Sequence, residues 1–284
     1  MKYSVKKLCA RMAIVLIASG TLYTEQLSQA QPPLSGDEIA RQMLARAETA
    51  SPTNHDHDYQ YRKHTVTEES DGKGRLKDRK EKLYQVAVES GVSYLKLLQL
   101  NGEKLSPSEI KKQSERDAAE RAKITDSSPT KKGDNRENFL TPELLAKFKL
   151  NCVAVETIGG RANYVVTFAP TGEAMPVKKM TDRFLNNVSG KAWIDVADFE
   201  ITKAEVHLRS EITLWGGLLG TLRRCDYSLQ RTRQPDGVWI NTFSHGVFEG
   251  RKLLETVTIK TMSESSDFQK LALATGQRTP ASID

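Results

Sequence analysis

The stretch TKAEVHLRSEITL, Thr202 to Leu214, alternates with period two. Ala204, Val206, Leu208, Ile212 and Leu214 share one parity, broken only by Ser210. Lys203, Glu205, His207, Arg209 and Glu211 share the other. Side chains two apart lie on one side of an extended chain, so this is a β-strand with a dry face and a wet face. A dry face has to be covered by a second layer. The strand then enters LWGGLLG, where Trp215, Leu218 and Leu219 surround Gly216, Gly217 and Gly220. Hairpin tips are normally polar. An apolar tip either folds back on the core or lines a cavity mouth, a partner surface or a membrane contact.

The same alternation recurs along the chain. YQYRKHTVTEE, RLKDRKEKLYQVAVES and VSYLKLLQLNGEKL form a meander after Tyr59. From Asn151 nearly everything is strand, with Gly159-Gly160 and Asp236-Gly237 as tight turns. Capping boxes at Ser35–Glu38 and Ser106–Glu109 open helices that run to about Ala50 and Ile124. The first has an apolar face of Ile39, Met43, Leu44 and Ala47; the second is polar all round. Thr141-Pro142-Glu143 starts a third helix with Leu144, Leu145 and Phe148 on one face, and DRFLNN is a short fourth. Roughly nine to eleven strands and two to four helices result. Helices confined to the N-terminus and one mid-chain block predict an α+β fold: a large curved antiparallel sheet, an open and incomplete β-barrel, closed by a few helices. Such a barrel either encloses an apolar cavity or has a fully packed core.

The N-terminus is patterned for export. Lys2, Lys6, Lys7 and Arg11 precede an apolar run from Met12 to Leu22, and Ser28-Gln29-Ala30 is a small-x-small cleavage site. Residues 1–30 therefore read as a signal peptide and 31–284 as one domain, with a charged helix and loop inserted at about 106–138. The alternative is an uncleaved anchor. Part of the net charge of +6 lies in the leader, so the basic balance is no argument for nucleic acid. Cys152 and Cys225 remain after cleavage, either as one disulfide or as two buried free thiols.

The order and pattern of these elements resemble the outer-membrane lipoprotein-sorting superfamily, LolA/LolB-like. The residues that carry the resemblance are the capped N-terminal helix, YRKHTVTEESDGKGRLKDRKEKLYQV, LQLNGEKLSPSEI, GKAWIDVADFEITKAEVHL and the late DGVWINT and FEGRKLLETVTIKT segments. Together they span most of residues 35–270. The resemblance implies an open β-barrel closed by helices, a hydrophobic cavity for acyl chains, and a periplasmic location. The chain is longer than the family's carriers by the insertion at 106–138.

Leu208, Ile212, Leu214, Trp215, Leu218, Leu219, Trp193 and Trp239 are the candidate lining of a cavity or its mouth. His55 and His57, with Asp56 and Asp58, have the spacing of a metal pair but no third ligand. Ser244 beside His245 would point to opposite faces of a strand and lacks the context of a nucleophile. Asp195 and Asp198 read as turn residues rather than catalytic carboxylates, and the sequon at Asn187 carries no meaning in a bacterial host. No cofactor and no enzymatic activity are expected. The expected function is an exported binding protein that carries or senses a lipid or acylated, lipoprotein-like ligand. The alternative is an envelope sensor or scaffold with a closed core and a protein partner. Either is expected to be a monomer after signal cleavage, with transient membrane contact and no nucleic acid.

Overall fold

The computed structural model describes residues 34–50, 58–89, 92–126, 141–172, 180–214, 220–252 and 255–271. Residues 1–30, expected to be a signal peptide, the His55–His57 pair, the loop after residue 126 and the tip residues Trp215, Leu218 and Leu219 lie outside the described residues.

The helices opened by Ser35, Ser106 and Thr141 each begin at a side chain that accepts from a free N–H group. In α1, Gly36–Ala50, the N–H of Glu38 donates to Ser35 Oγ at 3.2 Å. In α2, Pro107–Asp126, the box is reciprocal: Glu109 N–H donates to Ser106 Oγ at 3.3 Å, and Glu109 Oε2 accepts from Ser106 N–H at 2.8 Å. α3 is shorter than expected, a single turn at Pro142–Leu145. Phe148 does not extend it but starts a strand, because pairing with the next strand takes over the backbone there. α4, Met180–Leu185, is the expected short helix.

All the strands pair antiparallel in one sheet of 12. They are β1 (Tyr59–Asp71), β2 (Leu76–Glu89), β3 (Val92–Leu100), β4 (Glu103–Lys104), β5 (Phe148–Ile158), β6 (Arg161–Pro170), β7 (Val188–Asp195), β8 (Ile201–Leu208), β9 (Ile212–Leu214), β10 (Gly220–Arg233), β11 (Trp239–Lys252) and β12 (Glu255–Lys270). Their order is β4-β3-β2-β1-β12-β11-β10-β8-β7-β6-β5, with β9 on β10. The end strands β4 and β5 do not meet, so the sheet is open, as expected of the α+β class.

The stretch 202–214 is two strands rather than one. β8 stops where Arg209 N–H donates to Asn187 O at 2.7 Å and Ser210 Oγ donates to the Asn187 side chain. β9 then pairs with β10 alone. The two-residue turn between β5 and β6 is Gly159-Gly160, with φ of 56° and 79°, a conformation that favours glycine at both positions. In the β7–β8 turn Phe199 takes a φ of 51°. That is costly for a bulky residue, and it places the ring against Tyr164 in the core, 6.3 Å between centroids.

The core sits under α1. Ile39 and Met43 pack on Val166, Ala192 and Ile194, with Leu150, Cys152, Tyr164, Phe199 and Ile201 around them. We call this the helix-side face. The first residue of α1 lies against the edge strand: a Cβ on Gly36 would stand 2.2 Å from Leu150 O.

Candidate functional site

Directly paired residues of an antiparallel sheet point to the same face. The register therefore traces rows of neighbours across the helix-side face. One row runs the width of the sheet. Its β5–β10 half reads Cys152, Val166, Ala192, Ala204 and Leu229. It continues through Ser244, Ser263 and Thr65 to Lys82 and Leu100. A second row runs Leu150, Phe168, Gly190, Val206 and Tyr227, then Gly246, Thr261, Thr67 and Lys80. Both rows are apolar from β5 to β10, small or hydroxyl-bearing from β11 to β1, and cationic on β2.

Two aromatic rings approach glycines of the second row. A Cβ on Gly190 would meet the Phe168 ring at 2.8 Å, and one on Gly246 the Phe248 ring at 2.6 Å. Glycine lets each ring approach the backbone this closely.

The predicted lining divides between the two faces. Leu208 lies opposite Val188 on the helix-side face and is half-buried. Ile212 is buried opposite Leu222, and the register puts Leu214 opposite Gly220. The parity of Ala204, Val206 and Leu208 thus continues through the break into β9. Trp193 is on the other face. It pairs with Val165 and Lys203, while its neighbours Ala192 and Ile194 face α1. Its Nε1 donates to Glu156 Oε2 at 2.8 Å, and Lys203 Nζ stands 4.1 Å from its ring centre.

Trp239, the first residue of β11, packs on the β7–β8 turn instead. Its Nε1 donates to Asp198 Oδ2 at 3.0 Å, and the Arg161 guanidinium lies 5.9 Å from its ring centre. Arg161 holds Asp195 with two bonds of 2.6 and 2.7 Å, and Asp195 Oδ1 accepts from the N–H groups of Ala197 and Asp198. Asp195 is 1% exposed. Burial alone would raise its carboxyl, but the bonds from Arg161 and the two N–H groups outweigh that and hold it below the usual carboxylate range. Both carboxylates are occupied in shaping the turn, as their sequence context suggested. Ser244 and His245 point to opposite faces, opposite Ser263 and Met262 respectively.

Cys152 and Cys225 are free thiols. They sit on β5 and β10, with β6, β7 and β8 between them, about 19 Å along the sheet. Burial raises both thiols above their ordinary value.

The polar end of the face has no local signature in the sequence. Lys63 and Lys82 are half-buried there, on adjacent strands. Thr65 and Ser263, beside Lys82, are hydrogen-bonded at 3.0 Å. Lysines on alternating strands read as a solvated face, and nothing in the local sequence says that β1 pairs with the last strand.

No family model matches the chain, and no curated protein matches it. Solved structures that it is similar to include a domain from Vibrio parahaemolyticus assigned to outer membrane lipoprotein sorting. The identity is 15%, with 86% of this chain and 94% of that chain covered and a TM-score of 0.33. Another is the LolA superfamily protein NE2245 from Nitrosomonas europaea, at 14% identity, 84% and 94% coverage and a TM-score of 0.29. A third is the MucA/MucB complex of Pseudomonas aeruginosa, at 10% identity, 83% and 99% coverage and a TM-score of 0.25. Among the described residues no helix is long and apolar enough to cross a membrane.

Proposed function

We propose that this chain is an exported, non-enzymatic binding protein that takes up the acyl part of a lipid or of an acylated protein on the helix-side face. Residues 1–30 direct export and are removed; residues 31–284 act as one domain in the periplasm or beyond it. The observation that carries the reading is the extent of the apolar rows. The cluster under α1 ends with β7 and Ile201, at the start of β8. Beyond it Val206, Leu208, Tyr227 and Leu229 continue the same face and stay half-buried. Acyl chains laid there would gain about 0.8 kcal/mol for each methylene removed from water. From the sequence, Trp215, Leu218 and Leu219, which follow Ile212 and Leu214 in the chain, are assigned to the mouth of this face.

A second reading, an envelope sensor or scaffold with a protein partner, is favoured by the edge strand. Val153 and Val155 on β5 are 57% and 52% exposed. Native mass spectrometry of the protein purified from membranes separates the two. A co-purifying lipid supports the carrier. A lipid-free protein that binds no added acyl probe leaves the scaffold.

A further inference from the structure

On β1 and β2 the helix-side face carries two lysines, Lys63 and Lys82, that hold no counter-ion among the described residues, while Glu69 and Asp78 lie on the same face beside Lys80. Lys63 lies opposite Tyr84 and Lys82 opposite Thr65, so they are diagonal neighbours with Cβ atoms about 7 Å apart. Both are half-buried. Lys80, next along β2, is paired with Asp78, while Lys77 and Lys270 hold Glu255 and Asp236. Lys63 and Lys82 form no ion pair or hydrogen bond among the described residues. A partly desolvated ammonium without a partner is unfavourable, and an arriving anion relieves it.

Hydroxyls stand beside these cations. Thr65 and Ser263 bond each other at 3.0 Å, and Ser244 lies opposite Ser263, Ser265 opposite Lys63. Each hydroxyl has one donor and two acceptor sites, so a single mutual bond leaves capacity unused. Two ammonium groups and a row of hydroxyls offer more donors than one carboxylate can accept. A phosphate, with its several oxygens, matches them better. From Lys82 the same row reaches Leu229 in four strand steps, about 19 Å.

We propose that Lys63 and Lys82, with Thr65, Ser263 and Ser244, bind the phosphate of a lipid headgroup while its acyl chains run along the apolar rows toward β8. The ligand is then an anionic phospholipid rather than a neutral glyceride. This rests on the acyl-binding reading above and adds the headgroup to it.

The test titrates the mature protein with two NBD-acyl probes in detergent-free buffer, a phosphatidylglycerol and a diacylglycerol, and uses inorganic phosphate as competitor. The phosphatidylglycerol probe should bind about tenfold tighter or more, the value of one strong charge-assisted contact. The double variant Lys63→Gln/Lys82→Gln should bind it no better than the diacylglycerol, with diacylglycerol binding and Tm unchanged. Lys96→Gln, an exposed lysine on the opposite face, should bind both probes as the wild type does. Equal affinity of the wild type for the two probes, or a double variant that keeps the preference, overturns the headgroup site and leaves acyl binding standing. Inorganic phosphate competing at the lipid's own concentration overturns the lipid assignment in favour of free phosphate. Failure of both probes to bind overturns the acyl reading and the headgroup with it.

Discussion

Thr65 Oγ1 lies 3.0 Å from Ser263 Oγ, a hydrogen bond between residues 198 positions apart. It belongs to the seam where β1 pairs with β12 and joins the N-terminal meander to the rest of the sheet. It also falls where the face turns from apolar to cationic. A double-mutant cycle with Thr65→Val and Ser263→Val in urea denaturation should give a coupling energy of about 1 kcal/mol. Additive effects would mean that the two hydroxyls do not share a bond in solution.

Gly36 should not tolerate a side chain. The Cβ of alanine would stand 2.2 Å from Leu150 O, a backbone atom that cannot rotate away. Gly36→Ala should cost roughly 1–3 kcal/mol despite alanine's better helix propensity, and lower Tm by several degrees. An unchanged or raised Tm would show that α1 does not seat against the edge strand. The same contact shields part of a strand edge that would otherwise be open to pairing with another chain.

Asp236, in the β10–β11 turn, gives stability that depends on pH. Burial pushes its carboxyl up, but bonds from Lys270 Nζ at 2.7 Å, from Tyr59 and from Val238 N–H outweigh this and bring it down to about 2. The folded value is below the unfolded one, so the contribution is complete above about pH 4 and is lost as pH falls toward 2. Burial and the same carboxylate push the Tyr59 phenol up to about 12. Asp236→Asn should flatten the fall in unfolding free energy between about pH 4 and pH 2 relative to wild type. A variant with the wild-type slope would place that titration elsewhere.

Local sequence signals are informative where one face of an element is polar. The alternation of Ala204, Val206 and Leu208 marks the helix-side face correctly, and both capping boxes start helices. Trp193 was misleading because β7 is buried on both faces: Ala192, Trp193, Ile194 and Asp195 are all buried. A strand covered on both sides loses its alternation, and nothing local then says which way the tryptophan points. The break at Ser210 comes from Asn187, 23 positions earlier. The row from Cys152 to Lys82 comes from strand pairing. Neither can be found by scanning a window of residues, because partners distant in sequence create both.

The acyl-binding face is tested most directly at Leu208. It is half-buried on the helix-side face, beyond the residues packed under α1. A carboxylate placed there faces Val188 across the strand pair and is expensive to bring into contact with an acyl chain. Titration of wild type and Leu208→Glu with a fluorescent fatty-acyl probe, with circular dichroism to check folding, is the decisive measurement. The account predicts saturable binding by the wild type and loss of binding by a variant that remains folded. A wild type that binds no probe, together with a Leu208→Glu chain that unfolds, would contradict it and point to a closed core.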